Sequence, residues 1–157
     1  MIKIQTKTGN LLHVKAGHIV HGCNAQGVMG SGVALGVKNT YPQAYKEYMD
    51  LHRTVGLALG YAQAVRINAE LIIWNAITQA DFGYGTRQVS YDAIQTCFEK
   101  VNDYIGSKDS QVPAEVHIPM IGAARGGGNW EIIREIIEQT MNYPVTLWLP
   151  DSTVTTL

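Results

Sequence analysis

The sequence predicts an α/β fold with a mixed, largely parallel sheet covered by helices on both faces, and three observations carry that prediction. Short apolar segments alternate with helical patterns along the 157 residues, as expected when crossover helices join parallel strands. Twice, at 27–33 and at 122–128, an apolar strand runs into glycines that open a helix. The composition, 46% apolar against 16% charged, supplies a core and excludes a disordered chain.

The elements follow in order. Ile2–Lys7 alternates apolar and polar residues as a first strand, and His18–Cys23 reads as a more deeply buried one. Gly32–Tyr41 is a helix that runs to Pro42, where a second helical stretch begins and continues to about Arg53. Tyr61–Ile67 and Leu71–Ile77 form a hairpin about Asn68-Ala69-Glu70. Ser90 caps a helix whose Ile94, Cys97, Phe98, Val101 and Ile105 keep the 3.6-residue period. Val116–Ile121 is another buried strand. Asn129 caps a helix with Ile132, Ile133, Ile136, Ile137 and Met141 on one stripe, Pro144 closes it, and Val145–Leu149 is the last strand.

This length makes one domain, 1–157, with a polar tail at 151–157 expected to fray. A net charge of −1 leaves no electrostatic footprint for duplex nucleic acid. Cys23 and Cys97 both fall among apolar residues, as reduced thiols of a cytoplasmic protein would. No apolar run reaches the length of a membrane span, and the N-terminus lacks a signal-peptide core.

Chemistry concentrates at the strand ends. Glycines 27, 30 and 32 let the chain turn tightly and approach a ligand, and amides at a helix N-terminus favour an anion. The run Gly126-Gly127-Gly128 costs conformational entropy that turn geometry alone does not explain. Two phosphate-type loops without a Walker lysine suggest a diphosphate held from both sides. Asn24 either pairs with ribose hydroxyls or supports its loop through an Asx-turn. Asn10 is a turn residue or an acceptor for an exocyclic amine. His21, in the same strand as Asn24, is either a hydrogen-bonded core histidine or a nucleophile or general acid. Asp81 is the only carboxylate of the polar, aromatic loop 78–86, and Asp92 lies on the helix beyond. The other histidines and the cysteines show no metal-ligand spacing.

Val20-His21-Gly22-Cys23-Asn24 with Gly30-Ser31-Gly32-Val33-Ala34, then Pro119-Met120-Ile121-Gly122 through Trp130, resembles the macro domain family of ADP-ribose-binding modules over nearly the whole chain. The resemblance implies a monomeric three-layer α/β/α sandwich with a small-molecule ADP-ribose derivative in its crevice and no cofactor. Gly9 and Asn10 would lie at the adenine and Asn24 at the distal ribose, with Leu11 and Cys23 also among the ligand-binding residues. Gly30, Ser31, Gly32 and Val33 would enclose the diphosphate with Ile121, Gly122, Ala123, Ala124, Arg125, Gly126, Gly127 and Gly128. Asn10 stands where the family usually carries Asp.

Two branches look most similar: the terminal ADP-ribose glycohydrolases with the DNA de-ADP-ribosylating antitoxins, and the yeast-type ADP-ribose-1″-phosphate phosphatases. The first uses a lysine after the hairpin strand and, in some members, an acid in the second glycine loop. Residues 78–88 contain no lysine, and Arg125-Gly126 occupies the acid's place. The second uses a histidine before the ribose Asn. By that resemblance His21 and Asp81 are the catalytic pair of a phosphatase that needs no metal. A glycohydrolase using substrate-assisted water attack and a non-catalytic reader are the alternatives.

Overall fold

Among the described residues, six strands form one sheet, with β1 (Gln5–Thr8), β6 (Val145–Leu149), β5 (Val116–Ile118), β2 (Gly17–Asn24), β4 (Leu71–Gln79) and β3 (Ala62–Arg66) side by side in that order. The computed structural model describes residues 1–82, 87–107, 111–123 and 126–151. Strands β1, β2, β5 and β6 run parallel to their neighbours, as β2 does to β4. Only β3 is antiparallel, paired with β4 in the hairpin that the sequence predicts.

The hydrophobic pattern of β2 and β4 explains their central place. Nearly every residue of both is buried, as in strands covered on two faces. On one side, Val20, Ile72 and Trp74 pack with Ile94 and Phe98 of α3 (Tyr91–Ser107) and Ile133 of α4 (Trp130–Thr140). On the other, Ile19, Val65 and Ile73 meet Val37 of α1 (Gly32–Thr40) and Ala44 of α2 (Pro42–Thr54). Three layers result.

Several boundaries differ from the sequence expectation, each for a visible reason. The first strand starts late because the Ile4 amide donates to the Glu138 carboxylate at 2.9 Å, which ties residues 2–4 to the end of α4. The fifth strand stops at Ile118 because Pro119 has no N–H to continue the ladder, and the Ile121 amide turns back to the Pro119 carbonyl. Ile132 leaves the buried stripe of α4 and is 43% exposed, whereas Ile133 and Ile137 are buried. A single 3-10 turn at Leu11–His13, capped by the Asn10 side chain, had no periodic signal. Ser90 accepts from the Ala93 amide, as its capping role requires. Cys23 and Cys97 are free and buried. Among the described residues no helix is long and apolar enough to cross a membrane.

Candidate functional site

A crevice of about 590 Å³ opens where β2, β4 and β5 end and β6 runs out into Pro150. Its lining joins both glycine loops, through Gly30–Ala34 on one side and Ile121, Gly122 and Gly126 on the other. Leu11, Trp148, Leu149 and Pro150 form an apolar end, suited to a flat ring. A second depression, of about 630 Å³, is lined only by polar, acidic and apolar side chains of α3 and α4.

Asn24 is placed by a break in the ladder. Cys23 pairs with Ile77, but Asn24 pairs with Gln79, so a bulge turns the Asn24 side chain toward the crevice. Its Oδ1 accepts from the Gln26 amide at 3.0 Å and the Val28 amide at 3.3 Å, while Nδ2 donates to the Val28 carbonyl at 2.7 Å. The loop-supporting reading of this residue therefore holds. The amide shapes the loop, and one Nδ2 proton has no acceptor among the described residues.

The two helix starts beside the crevice differ. Ser31, the N-cap of α1, makes no capping bond with its side chain. The first amides of α1 have no intrahelical acceptor, and Ser31 through Ala34 line the crevice, so partial positive charge faces it. At α4 the Asn129 side chain accepts from the Glu131 amide at 2.9 Å, and the Asn129 amide itself donates to Tyr91 Oη at 3.0 Å. Glu131 adds a carboxylate in the first turn. That end already carries a side-chain cap and a first-turn carboxylate.

Among its described residues, the second loop pairs part of its backbone internally. The Gln88 and Val89 amides both donate to the Gly126 carbonyl, and the Gly128 amide to that of Gly122. A Cβ at Gly126 would come within 2.6 Å of Gly122 O, and one at Gly128 within 2.6 Å of Val89 Cγ1. Packing on Val89, Ile133 and the loop's own carbonyl demands these glycines. At Gly30, in contrast, the nearest atom to an added Cβ is Val28 Cγ1 at 3.4 Å.

The predicted site residues divide accordingly. Leu11, Cys23, Asn24, Gly30, Ser31, Gly32, Val33, Ile121, Gly122 and Gly126 line the crevice. Gly9, Asn10, Ala123, Gly127 and Gly128 do not, and Ala124 and Arg125 lie outside the described residues. Gly9 instead gives room to the Trp148 ring, which an added Cβ would approach to 3.0 Å. Asn10 accepts from the Leu12 amide, so its oxygen is committed to the turn.

His21 is the main correction. It is fully buried on the face of β2 that packs against α2, and it does not border the crevice. Its Nε2 lies 2.7 Å from Asn75 Oδ1. Because Asn75 Nδ2 already donates to Ala44 O and Gln63 Oε1, Asn75 offers His21 an acceptor and fixes the Nε2–H tautomer. Burial lowers the His21 pKa to about 4, so the ring is neutral near pH 7. This is a core histidine and not a nucleophile facing a ligand. Burial likewise pushes the Cys23 thiol far above its ordinary value, which leaves it inert.

Asp81 is exposed, with Oδ1 accepting from the Phe82 amide at 2.7 Å. Its neighbours Gln79 and Phe82 border the crevice, although Asp81 itself does not. His18 and His117 each accept an indole N–H at Nδ1, from Trp74 and Trp148. Among the described residues no His, Cys, Asp and Glu side chains gather into a metal-binding group. Gln79 and Phe82 of the loop 78–86 line the crevice, whereas sequence reasoning missed Gly22, Met120 and Trp148. Their strand-end positions were the available signal.

A three-layer α/β/α sandwich with a nucleotide-sized crevice beside an uncapped helix start is the class these features define. The Macro domain model matches residues 20–137, and the chain belongs to the macro domain family. A Bacteroides thetaiotaomicron protein of unknown function superposes with a TM-score of 0.83 at 25% identity, covering 94% of this chain and 98% of that one. A macrodomain protein from Streptomyces coelicolor gives 0.75 at 29% identity, over 94% and 99% of the two chains. The ADP-ribose 1″-phosphate phosphatase of Candida albicans is 22% identical over 127 residues, 79% of this chain and 81% of that enzyme.

Proposed function

We propose that the protein binds ADP-ribose derivatives in the crevice and hydrolyses ADP-ribose 1″-phosphate to ADP-ribose and inorganic phosphate. The observation that carries the binding is the open N-terminal turn of α1, whose amides meet the crevice where a diphosphate would lie. The base would occupy the apolar end at Leu11 and Trp148, which sets the distal ribose beside Asn24. The similarity to the Candida phosphatase supports the choice of leaving bond.

In this reading water attacks phosphorus, the P–O1″ bond breaks, and the 1″ oxygen leaves with the proton that Asp81 has taken from the water. Asp81 takes the proton from water through Oδ2, since Oδ1 is tied to the Phe82 amide. The loop amides offset charge on the transferring group. His21 takes no part. The buried free thiols suit a reducing cytoplasm.

A second reading has one specific observation in its favour. Val28, Phe82 and Met120 are 37%, 53% and 38% exposed, and all three border the crevice. An apolar rim suits a larger group on the distal ribose, as in a mono-ADP-ribosylated macromolecule. Incubation with ADP-ribose 1″-phosphate and, separately, with mono-ADP-ribosylated protein and DNA decides between them. Phosphate release that Asp81→Asn abolishes without loss of ADP-ribose binding is the expected result. Consumption of the macromolecular substrate alone favours the second reading, and binding without turnover of either overturns both.

A further inference from the structure

We infer that Tyr48 is a positioning residue for Asn24, held in place by a polar row that crosses the sheet on its α2 face. The inference rests on the reading that Asn24 contacts the ligand's ribose. Tyr48 has no exposed surface, and its hydroxyl lies 2.6 Å from Asn24 O and 3.0 Å from Asn24 Oδ1. A buried phenol that shares its one proton between these two oxygens clamps the backbone and the amide of one residue together. Burial keeps the hydroxyl protonated, as a donor must be.

The clamp is needed because Asn24 sits at a bulge. With the ladder broken between Cys23 and Asn24, strand pairing alone does not set the side-chain direction there. Tyr48 supplies the missing constraint from the helix layer. Phe at this position would fill nearly the same volume and avoid the desolvation of a hydroxyl, so core packing gives no reason for the oxygen.

The polar row explains how α2 keeps its register. Gln63, Asn75 and His21 are aligned partners on β3, β4 and β2. Asn75 Nδ2 donates to Ala44 O at 3.0 Å, and Gln63 Nε2 donates to Glu47 O at 2.9 Å. His21 completes the row by donating to Asn75 Oδ1. Both helix carbonyls lie within one turn of Tyr48, so the row fastens the part of α2 that carries the clamp. His21 thus acts on the site from behind the sheet.

Tyr48→Phe tests this with two readouts. In the unliganded protein, the Asn24 side-chain amide signals in a 1H–15N spectrum are expected to shift and broaden, while the melting temperature changes little. In titration, ADP-ribose affinity is expected to fall about threefold to tenfold, as for one lost hydrogen bond. Made in an Asn24→Ala background, Tyr48→Phe is expected to cost no further affinity. Equal losses in both backgrounds, or unmoved Asn24 signals, overturn the assignment. If the wild type binds no ADP-ribose, the functional reading fails, and the amide signals alone decide the role of Tyr48.

Discussion

Two glycine loops border the crevice, and they use glycine for different purposes. In the loop before α1, the Gly30 position has ordinary room around it, and the first amides of the helix point at the crevice without a cap. In the loop before α4, Gly126 and Gly128 are crowded by Gly122 O and Val89, and the helix start is capped by Asn129. The first loop leaves donors for a ligand. In the second, the Gly128 amide is already paired with Gly122 O, and the crowded glycines serve as a wall. A run of glycines is therefore ambiguous until the space around each Cα is known.

The sharpest break in this comparison lies in the wall. Gly128→Ala forces a Cβ against Val89 Cγ1 at 2.6 Å and against Gly122 O and Ile133 Cδ1 at 2.9 Å. Overpacking of this kind costs about 1–3 kcal/mol, measurable in chemical denaturation. Adding Val89→Ala relieves part of the clash but not the contact with Gly122 O. A Gly128→Ala protein of unchanged stability and lower ADP-ribose affinity breaks the distinction between the loops.

His21→Ala is expected to cost more, because it leaves Asn75 Oδ1 only a weak contact with the Cys23 thiol at 4.0 Å and opens a cavity in the core. A loss of about 2–4 kcal/mol is expected in denaturation, with turnover at saturating substrate largely kept and ADP-ribose affinity lowered through the loosened α2 row. The buried histidines also predict acid sensitivity. His18 and His21 have pKa values lowered to about 4 from 6.5, so the unfolded chain binds more protons between those limits. Their contribution to stability is complete above about pH 6.5 and is lost as pH falls toward 4, at up to about 1.4 kcal/mol per pH unit for each histidine. Melting curves from pH 7 to pH 4 check the direction.

Smaller effects sharpen the comparison. Asn129→Ala removes the α4 cap and should cost about 1 kcal/mol of stability, with ADP-ribose affinity unchanged. Gly30→Val should leave stability nearly intact and weaken ADP-ribose binding by obstructing the crevice.

Much of this arrangement is legible in the sequence, and the failures have physical causes. The periodic apolar residues of β2, β4 and α3 mark the sheet and its cover because burial on two faces leaves few polar positions. Asn24 and Gly30–Val33 are legible because a strand running into glycines has few other uses. The role of His21 is not, since a strand alternates faces, and one residue decides whether a side chain meets the crevice or α2. The bulge after Cys23 shifts that alternation and leaves no mark in composition. Tyr48 reads as one more apolar residue of α2, because its partner lies 24 positions earlier in the chain.

The central claim is that the α1 end of the crevice, and not the α4 end, supplies the donors for the diphosphate. Ser31→Asp tests it most directly, because a carboxylate at an N-cap favours the helix while repelling a bound anion. Titration of ADP-ribose into this variant, with a melting curve measured in parallel, is predicted to give an equal or higher melting temperature and an affinity at least about tenfold lower. An affinity equal to that of the wild type contradicts the account.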